Sequence, residues 1–175
     1  VADVYSDPPA SSEQVSQPEK YGSDQPTDVT LPDRSTDDWE RVTPEGRAPY
    51  GEVGVAGLTA MFGYPAYEQA YKPREFVIDP LNRDGQGNVD RDSPFNYATT
   101  PVDGWDGEKL WVYESGDETA YTWRLAFDSD DDAREFARTY RSLLRYWGAE
   151  QTDADGVSAS DTSGASASEQ SENVG

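Results

Sequence analysis

Residues 109–147 restrict the fold of this chain more than any other stretch. Residues 109–113 and 120–127 alternate side chains as half-buried strands do, and residues 115–118 between them have the composition of a turn. This pattern predicts an antiparallel β-hairpin with an aromatic face. Because one face of a two-stranded hairpin must be covered to be stable, a partner element is expected nearby.

An amphipathic helix follows the hairpin directly. Ser129 can cap it, the next three residues are aspartates that suit the positive end of the helix dipole, and Gly148 can end it. Counted from Ala133, apolar residues recur at i, i+3, i+4, i+7, i+11 and i+14, so one stripe should face the hairpin. The predicted main core consists of Tyr121, Trp123, Leu125, Phe127, Phe136, Tyr140, Leu144 and Trp147.

A short capped helix is predicted near the N-terminus. Ser11 is a suitable N-cap, and Gln14 stands where a capping box places its second polar side chain. Pro18 should end this helix near Gln17. Glu13 and Gln17 are four residues apart, so they should share one helical face.

The middle of the chain divides into an apolar part and a polar part. Residues 50–62 are apolar and rich in glycine, which predicts a buried helix with close-packed glycines that Tyr64-Pro65 should end. Its helical spacing is set by Val53, Gly57, Ala60 and Met61. Residues 71–100 have too many Pro, Gly, Asn and Asp for regular structure, apart from a short strand near residues 76–78.

These elements together predict an α+β fold in one domain over residues 1–150. Residues 151–175 consist mainly of Ser, Ala, Asp, Gly and Glu, with no Lys, Arg or aromatic residue, and such a composition predicts a disordered tail or linker. The first residue is Val1 rather than Met, which favours a fragment of a larger protein. The domain is therefore expected to contact a missing N-terminal part.

The chain is strongly acidic, with a net charge of −21 from 35 acidic and 14 basic residues. Asp outnumbers Glu by 21 to 14, and there are only three Lys. Such a surface repels itself in dilute buffer, but in molar salt the screening length falls to roughly 3 Å. The composition thus predicts a halophilic source. It also disfavours nucleic acid as a partner, because no basic face can neutralise phosphates.

Cysteine and histidine are both absent. Their absence excludes disulfides, thiolate nucleophiles, imidazole acid–base catalysis and most zinc sites within this chain. The sequence has no apolar run long enough to cross a membrane.

Residues 82–90 cluster oxygen ligands around glycines, as calcium-binding loops do. With Gly87 at the turn position, however, the twelfth residue is Ser93 in place of a bidentate acid. A solvated acidic loop is the preferred interpretation, and a weak calcium site is the alternative. Its candidate ligands are Asn82, Asp84, Asn88 and Asp90.

Four segments, in this order, resemble the C-terminal half of haloarchaeal cell-surface proteins of zincin type, which are related to HExxH metallopeptidases. The resemblance spans roughly residues 4–150, and the first segment is the most specific because of its Pro-Pro start and its Pro-Glu-Lys-Tyr end. Glu13, Glu19 and Tyr21 match the family pattern, whereas Gln17 stands where the family usually has His. The segments are DPPASSEQVSQPEKY, DVTLPDRSTDDWERV, GWDGEKLWVYE and YTWRLAFDSDDDAREFARTYRSLL.

The resemblance implies a location outside the cell or on its surface and a zincin-like parent protein whose HExxH segment is absent here. It makes Glu13, Gln17, Glu19 and Tyr21 candidate substrate-site positions, although helix start and chain anchoring explain them better. The leading hypothesis is a non-catalytic C-terminal portion, with no cofactor of its own and with any zinc held by the parent protein. The alternative is a stand-alone adhesion or envelope module without enzymatic activity.

Overall fold

The computed structural model describes residues 6–68, 79, 81–97 and 99–152, and it has the predicted α+β architecture. Its described part contains three helices and a three-stranded antiparallel sheet of order β1-β2-β3. In chain order the elements are α1 (Ser12–Ser16), a 3-10 turn (Pro18–Lys20), β1 (Glu40–Arg41), α2 (Gly54–Glu68), β2 (Trp105–Ser115), β3 (Glu118–Phe127) and α3 (Asp130–Tyr146).

The predicted β-hairpin is confirmed as the centre of the sheet. β2 and β3 pair antiparallel, and Ser115 lies opposite Glu118 across a two-residue turn. Gly116 occupies that turn at φ 60°, a left-handed conformation that glycine adopts without strain. β2 begins at Trp105, four residues before the predicted strand. β1 pairs with the other edge of β2 over two residues, with Glu40 opposite Glu114.

The long helix α3 begins and ends as predicted. The Oγ of Ser129 accepts a hydrogen bond from the Asp132 amide at 3.2 Å, which caps the N-terminus. Gly148 follows the last turn at φ 84°, where its lack of a Cβ permits the left-handed ending.

The hydrophobic core lies between the sheet and the helices α2 and α3. Phe136 of α3 is at its centre, because its ring contacts the rings of Phe62, Trp123, Phe127 and Tyr140 at centroid distances of 5.7, 5.9, 5.2 and 5.7 Å. The buried cluster consists of Val55, Leu58, Phe62, Val102, Trp105, Phe136 and Leu143.

Of the eight predicted core residues, Phe136 lies in this cluster, and four more are partly buried and pack against it: Trp123, Leu125, Phe127 and Tyr140. The other three belong to neither group. Leu143 is buried instead of Leu144, because the stripe that faces the sheet runs through Phe136, Tyr140 and Leu143 at i, i+4 and i+7. Trp147 lies beyond the last helical residue and is 50% exposed. Tyr121 lies near the turn end of β3 and is 49% exposed.

The glycine-rich helix α2 is buried as predicted, but its limits and its buried face differ from the prediction. Pro65 does not end the helix, which continues to Glu68; the proline lacks only one donor, so the other hydrogen bonds of the helix remain. Leu58 and Phe62 are fully buried. Val53, which was placed on the helical face, precedes the helix and is 40% exposed.

The N-terminal helix α1 has the predicted cap. Ser11 Oγ accepts a hydrogen bond from the Gln14 amide at 3.3 Å, and the helix ends at Ser16, so that Pro18 starts the 3-10 turn. The side chain of Gln14 accepts from the Ala10 amide at 2.7 Å, one residue before the position in a standard capping box.

Two predictions concern residues that the structure mostly does not describe. The strand near residues 76–78 and all but the first two residues of the 151–175 tail lie outside the described residues. Among the helices that the structure describes, none is both long and apolar enough to cross a membrane.

Candidate functional site

Lys20 lies at the centre of a charged cluster that joins the N-terminal segment to the end of β3. Its Nζ is 2.7 Å from Glu13 Oε1, 2.6 Å from Asp128 Oδ2 and 3.8 Å from Asp24 Oδ2. The 3-10 turn after α1 turns Lys20 back towards Glu13, which is 1% exposed, and Asp128 directly follows β3. The cluster therefore fixes α1 against the hairpin.

Three carboxylates share one ammonium in this cluster, and the pKa values of Glu13 and Lys20 are shifted there. Burial raises the pKa of Glu13 above its usual 4.5, although the hydrogen bond and charge of Lys20 oppose the shift. Burial alone would lower the pKa of Lys20, but hydrogen bonds to Asp128 and Glu13 outweigh it and raise that pKa. The ammonium is therefore firmly protonated, and burial makes the Glu13 carboxyl harder to ionise than an exposed glutamate.

The same three acids form the one group of carboxylates within the described residues that could hold a metal ion. Oxygens of Glu13, Asp24 and Asp128 lie within 4.8 Å of one another. Lys20 Nζ is already within 4 Å of all three, so the chain supplies its own cation there. A divalent ion would have to displace the ammonium before it could bind.

Lys20 should make the stability of the fold depend on alkaline pH. Since its pKa is raised above the usual 10.5, the folded chain retains a proton that the unfolded chain releases first. Its contribution is complete below pH 10.5 and is lost as the pH rises further. In Lys20→Met, the free energy of unfolding should therefore fall less steeply above pH 10.5 than in the unmodified chain.

Urea unfolding in molar KCl over this pH range measures both slopes. Burial also raises the pKa of Tyr140, but Tyr140 is present in both proteins, so the difference between the slopes isolates Lys20. Equal slopes would contradict this account of the cluster.

A second buried carboxylate, Glu108 of β2, caps the N-terminus of α2. It is 3% exposed, and its Oε1 accepts hydrogen bonds from the amides of Val53 at 2.6 Å and Gly54 at 2.5 Å. Its Oε2 accepts from Trp123 Nε1 at 2.5 Å. Ser12 adds to the same helix end, since its Oγ accepts from the Val55 amide at 3.1 Å. Both carboxylate oxygens of Glu108 are thus occupied by donors of the fold.

Glu108 is not among the residues predicted from the sequence. The only signal was a glutamate at an inward position of a strand, in phase with Leu110 and Val112, where an apolar residue is expected. A buried acid at such a position needs donors from elsewhere in the fold.

A groove of about 700 Å³ lies beside Glu108, between α1, the start of α2 and β2. Apolar side chains form part of its wall, and Val15 and Val53 are 65% and 40% exposed there. At its rim, Lys109 Nζ is 2.6 Å from Asp28 Oδ1 and 5.1 Å from the centre of the Tyr50 ring. The groove therefore has partly apolar walls, and the charges of Lys109 and Asp28 at its rim cancel each other.

The four motif positions suggested by the resemblance contact different partners. Glu13 is bonded to Lys20, whereas Gln17 Nε2 donates to Asp103 Oδ1 at 3.4 Å. The hydroxyl of Tyr21 donates to the carbonyl of Asp7. Glu19 is exposed. Each of these contacts anchors the chain locally, and a substrate site at these positions stays a prediction.

The loop over residues 82–90 is closed by its own hydrogen bonds. Asp84 Oδ1 accepts from the amides of Gln86 and Asn88, both at 2.9 Å, and these bonds lower the pKa of Asp84. Asn82 turns its amide nitrogen towards the Ser93 carbonyl at 3.0 Å. Asp90 Oδ1 accepts from the Asp92 amide at 2.9 Å. Oxygens expected to face a calcium ion thus serve the loop, and calcium binding stays a prediction.

Comparison with known proteins gives one match. The model of a family described as a domain of unknown function (DUF8575) matches residues 40–173. The matched range includes β1, α2, the hairpin and α3, whereas α1 and the 3-10 turn lie before it. Neither the curated proteins nor the solved structures contain a match to this chain.

Proposed function

Because this chain belongs to the DUF8575 family, whose domain has no known function, we propose a role from its geometry: it is a non-catalytic portion of a haloarchaeal surface protein. One observation carries the proposal. The two acids that the fold buries most completely, Glu13 and Glu108, are both bound to groups of the fold itself. Glu108 connects β2 to the start of α2, and Glu13 connects α1, through Lys20, to Asp128 at the end of β3.

A catalytic acid or base must reach its substrate and must exchange a proton with it. Glu108 cannot do so while amides of α2 and the Trp123 indole occupy its oxygens. Glu13 faces the Lys20 ammonium and is 1% exposed. The absence of His and Cys also excludes imidazole and thiol catalysis by this chain. These features favour scaffold over reaction chemistry.

The charge distribution supports an environment of molar salt. Two of the three lysines, Lys20 and Lys109, form ion pairs with aspartates, but 14 basic residues cannot neutralise 35 acidic ones. The net charge of −21 is tolerable where salt shortens the screening length to roughly 3 Å. The same charge disfavours nucleic acid as a partner.

The exterior location and the zincin-type parent protein remain part of the proposal, on the strength of the segment resemblance. In this view a zincin-type segment encoded upstream in the same protein contacts the domain and holds any zinc. The coding sequence upstream tests it directly: an HExxH segment in the same reading frame supports the proposal, and its absence contradicts the zincin relation.

The groove favours a second candidate, a stand-alone adhesion or envelope module. Its apolar walls and the exposed Val15 and Val53 are features of a binding surface. This candidate requires a signal sequence directly before Val1, whereas the first requires an upstream domain. The same coding sequence therefore distinguishes the two.

The purified chain should not hydrolyse casein in about 3 M KCl with added zinc, because its two buried acids, Glu13 and Glu108, are occupied by groups of the fold and it has no His or Cys to hold the zinc. Release of acid-soluble peptides measures turnover, and a salt-tolerant zinc peptidase in the same buffer is the positive control. Hydrolysis that a chelator abolishes would overturn the non-catalytic role.

The secondary structure of the chain should also depend on salt. Circular dichroism should show more secondary structure in about 3 M KCl than in about 0.1 M KCl, because molar salt screens the repulsion between carboxylates. More secondary structure at the lower salt concentration would overturn the halophilic proposal.

A further inference from the structure

The outer side of β3 is an unpaired sheet edge. β3 is ten residues long and pairs with β2 on one side, while no residue that the structure describes pairs with its backbone on the other. Glu118, Thr119, Tyr121 and Arg124 are exposed along this strand. An edge of this length is a template for a further strand.

The pairing of β2 shows which backbone groups of β3 face outwards. Leu110 exchanges hydrogen bonds with Gly51 at 2.8 and 2.9 Å, so its peptide groups face away from β3. Because peptide groups alternate along a strand, the neighbouring residue Trp111 faces β3, and its partner is Thr122. The residues on either side of Thr122, Tyr121 and Trp123, therefore direct their N–H and C=O groups outwards, and so does Thr119.

We propose that the occupant of this edge is the β3 strand of a second copy of the chain, paired antiparallel with Tyr121 opposite Tyr121. In this register Thr119 faces Trp123 of the second copy. The outward groups then form three hydrogen-bonded pairs with two bonds each. The result is a continuous six-stranded sheet across a two-fold axis.

Charge complementarity selects this register. Glu118 and Arg124 are three residues on either side of Tyr121, so Glu118 of one copy lies opposite Arg124 of the other. Arg124 Nη1 donates to the Thr30 carbonyl of its own chain at 3.2 Å, which leaves four further N–H groups of the guanidinium for Glu118. They form non-hydrogen-bonded pairs, in which side chains come closest. If the axis moves by one residue to Thr122, Arg124 faces Ala120 and both charge pairs are lost.

The dimer should depend on salt in the direction opposite to an ordinary ion pair. Each copy has a charge of −21, so two copies repel each other in dilute buffer. In molar salt that repulsion is screened beyond roughly 3 Å, while the strand hydrogen bonds remain. We expect a dimer in about 3 M KCl and a monomer of 19.3 kDa in about 0.1 M KCl by multi-angle light scattering.

The chain has no cysteine, so single cysteines report the register cleanly. Residues 118 and 124 of opposite copies should have Cα atoms about 4.5 Å apart, within disulfide range, whereas like positions should be about 20 Å apart. A mixture of Glu118→Cys and Arg124→Cys chains should therefore cross-link in molar KCl. Each variant alone should not, and neither should Arg124→Cys mixed with the control Glu45→Cys.

Thr119→Pro gives an independent test. It removes an outward N–H that β2 does not use, so the monomer should keep its circular dichroism spectrum while the dimer is lost. Three results would overturn the proposal: a monomer at every salt concentration, a dimer without the 118–124 cross-link, or a monomer whose Thr119 and Tyr121 amides resist hydrogen exchange. The last result would mean that another segment of the same chain covers the edge.

Discussion

Replacing Glu108 with alanine should lower the free energy of unfolding by about 3 kcal/mol, because three partly buried donors lose their acceptor together. Two of them are the amides of Val53 and Gly54 at the start of α2, and the third is the Trp123 indole. Truncation also leaves a gap between β2 and α2. Urea unfolding in molar KCl, followed by tryptophan fluorescence, measures the change.

Two further variants test whether the loss of stability comes from the lost hydrogen bonds of Glu108. Glu108→Gln keeps one acceptor oxygen but places an N–H₂ group against a donor, so it should cost about half as much. Glu114→Ala is the matched control on the same strand, since Glu114 is exposed and lies opposite Glu40 of β1, and it should leave stability almost unchanged. If the alanine variants at 108 and 114 are equally stable, Glu108 does not hold α2 to the sheet.

Truncating Phe136 to alanine should cost about 3–5 kcal/mol, the usual range for a buried aromatic ring. Its ring contacts Phe62 of α2, two rings of β3 and Tyr140 of its own helix, so the cavity would open at the point where all three elements meet. The neighbouring rings are held by their own contacts and can close only part of the gap. Urea unfolding in molar KCl again gives the free energy.

Trp147→Ala is the matched control for Phe136. It removes a larger ring directly after the C-terminal end of the same helix, but this ring is 50% exposed and contacts the rings of Tyr64 and Tyr146. It should cost no more than about 1 kcal/mol. If Trp147→Ala lowered the free energy of unfolding more than Phe136→Ala, Trp147 would belong to the core, as the sequence predicts, and the core described above would be contradicted.

The hairpin and α3 were predictable because local rules specify them. Alternation, a two-residue turn and the Ser129 and Gly148 caps act within a few residues, and the structure has all of them. The choice of Leu143 over Leu144 was not predictable in this way. It depends on which side of α3 meets the sheet, and adjacent leucines satisfy the helical period almost equally well.

The contacts of Glu108 and Lys20 could not be predicted from the sequence for a different reason. Glu108 bonds to Val53, 55 residues away, and Lys20 bonds to Asp128, 108 residues away. Sequence spacing carries no signal over such separations, whereas the folded chain makes both pairs neighbours. The resemblance did direct attention to Glu13, but its contact with Lys20 follows from the 3-10 turn that interrupts the helical spacing.

The carboxylate at the start of α2 has a consequence at high salt concentration. The N-terminal amides of a helix attract anions, and at molar chloride an open helix end would be filled and emptied as the medium changes. Glu108 occupies that position with an anion that is covalently part of β2 and cannot diffuse away. The attachment of α2 to the sheet is thereby made independent of which anion the surrounding water contains.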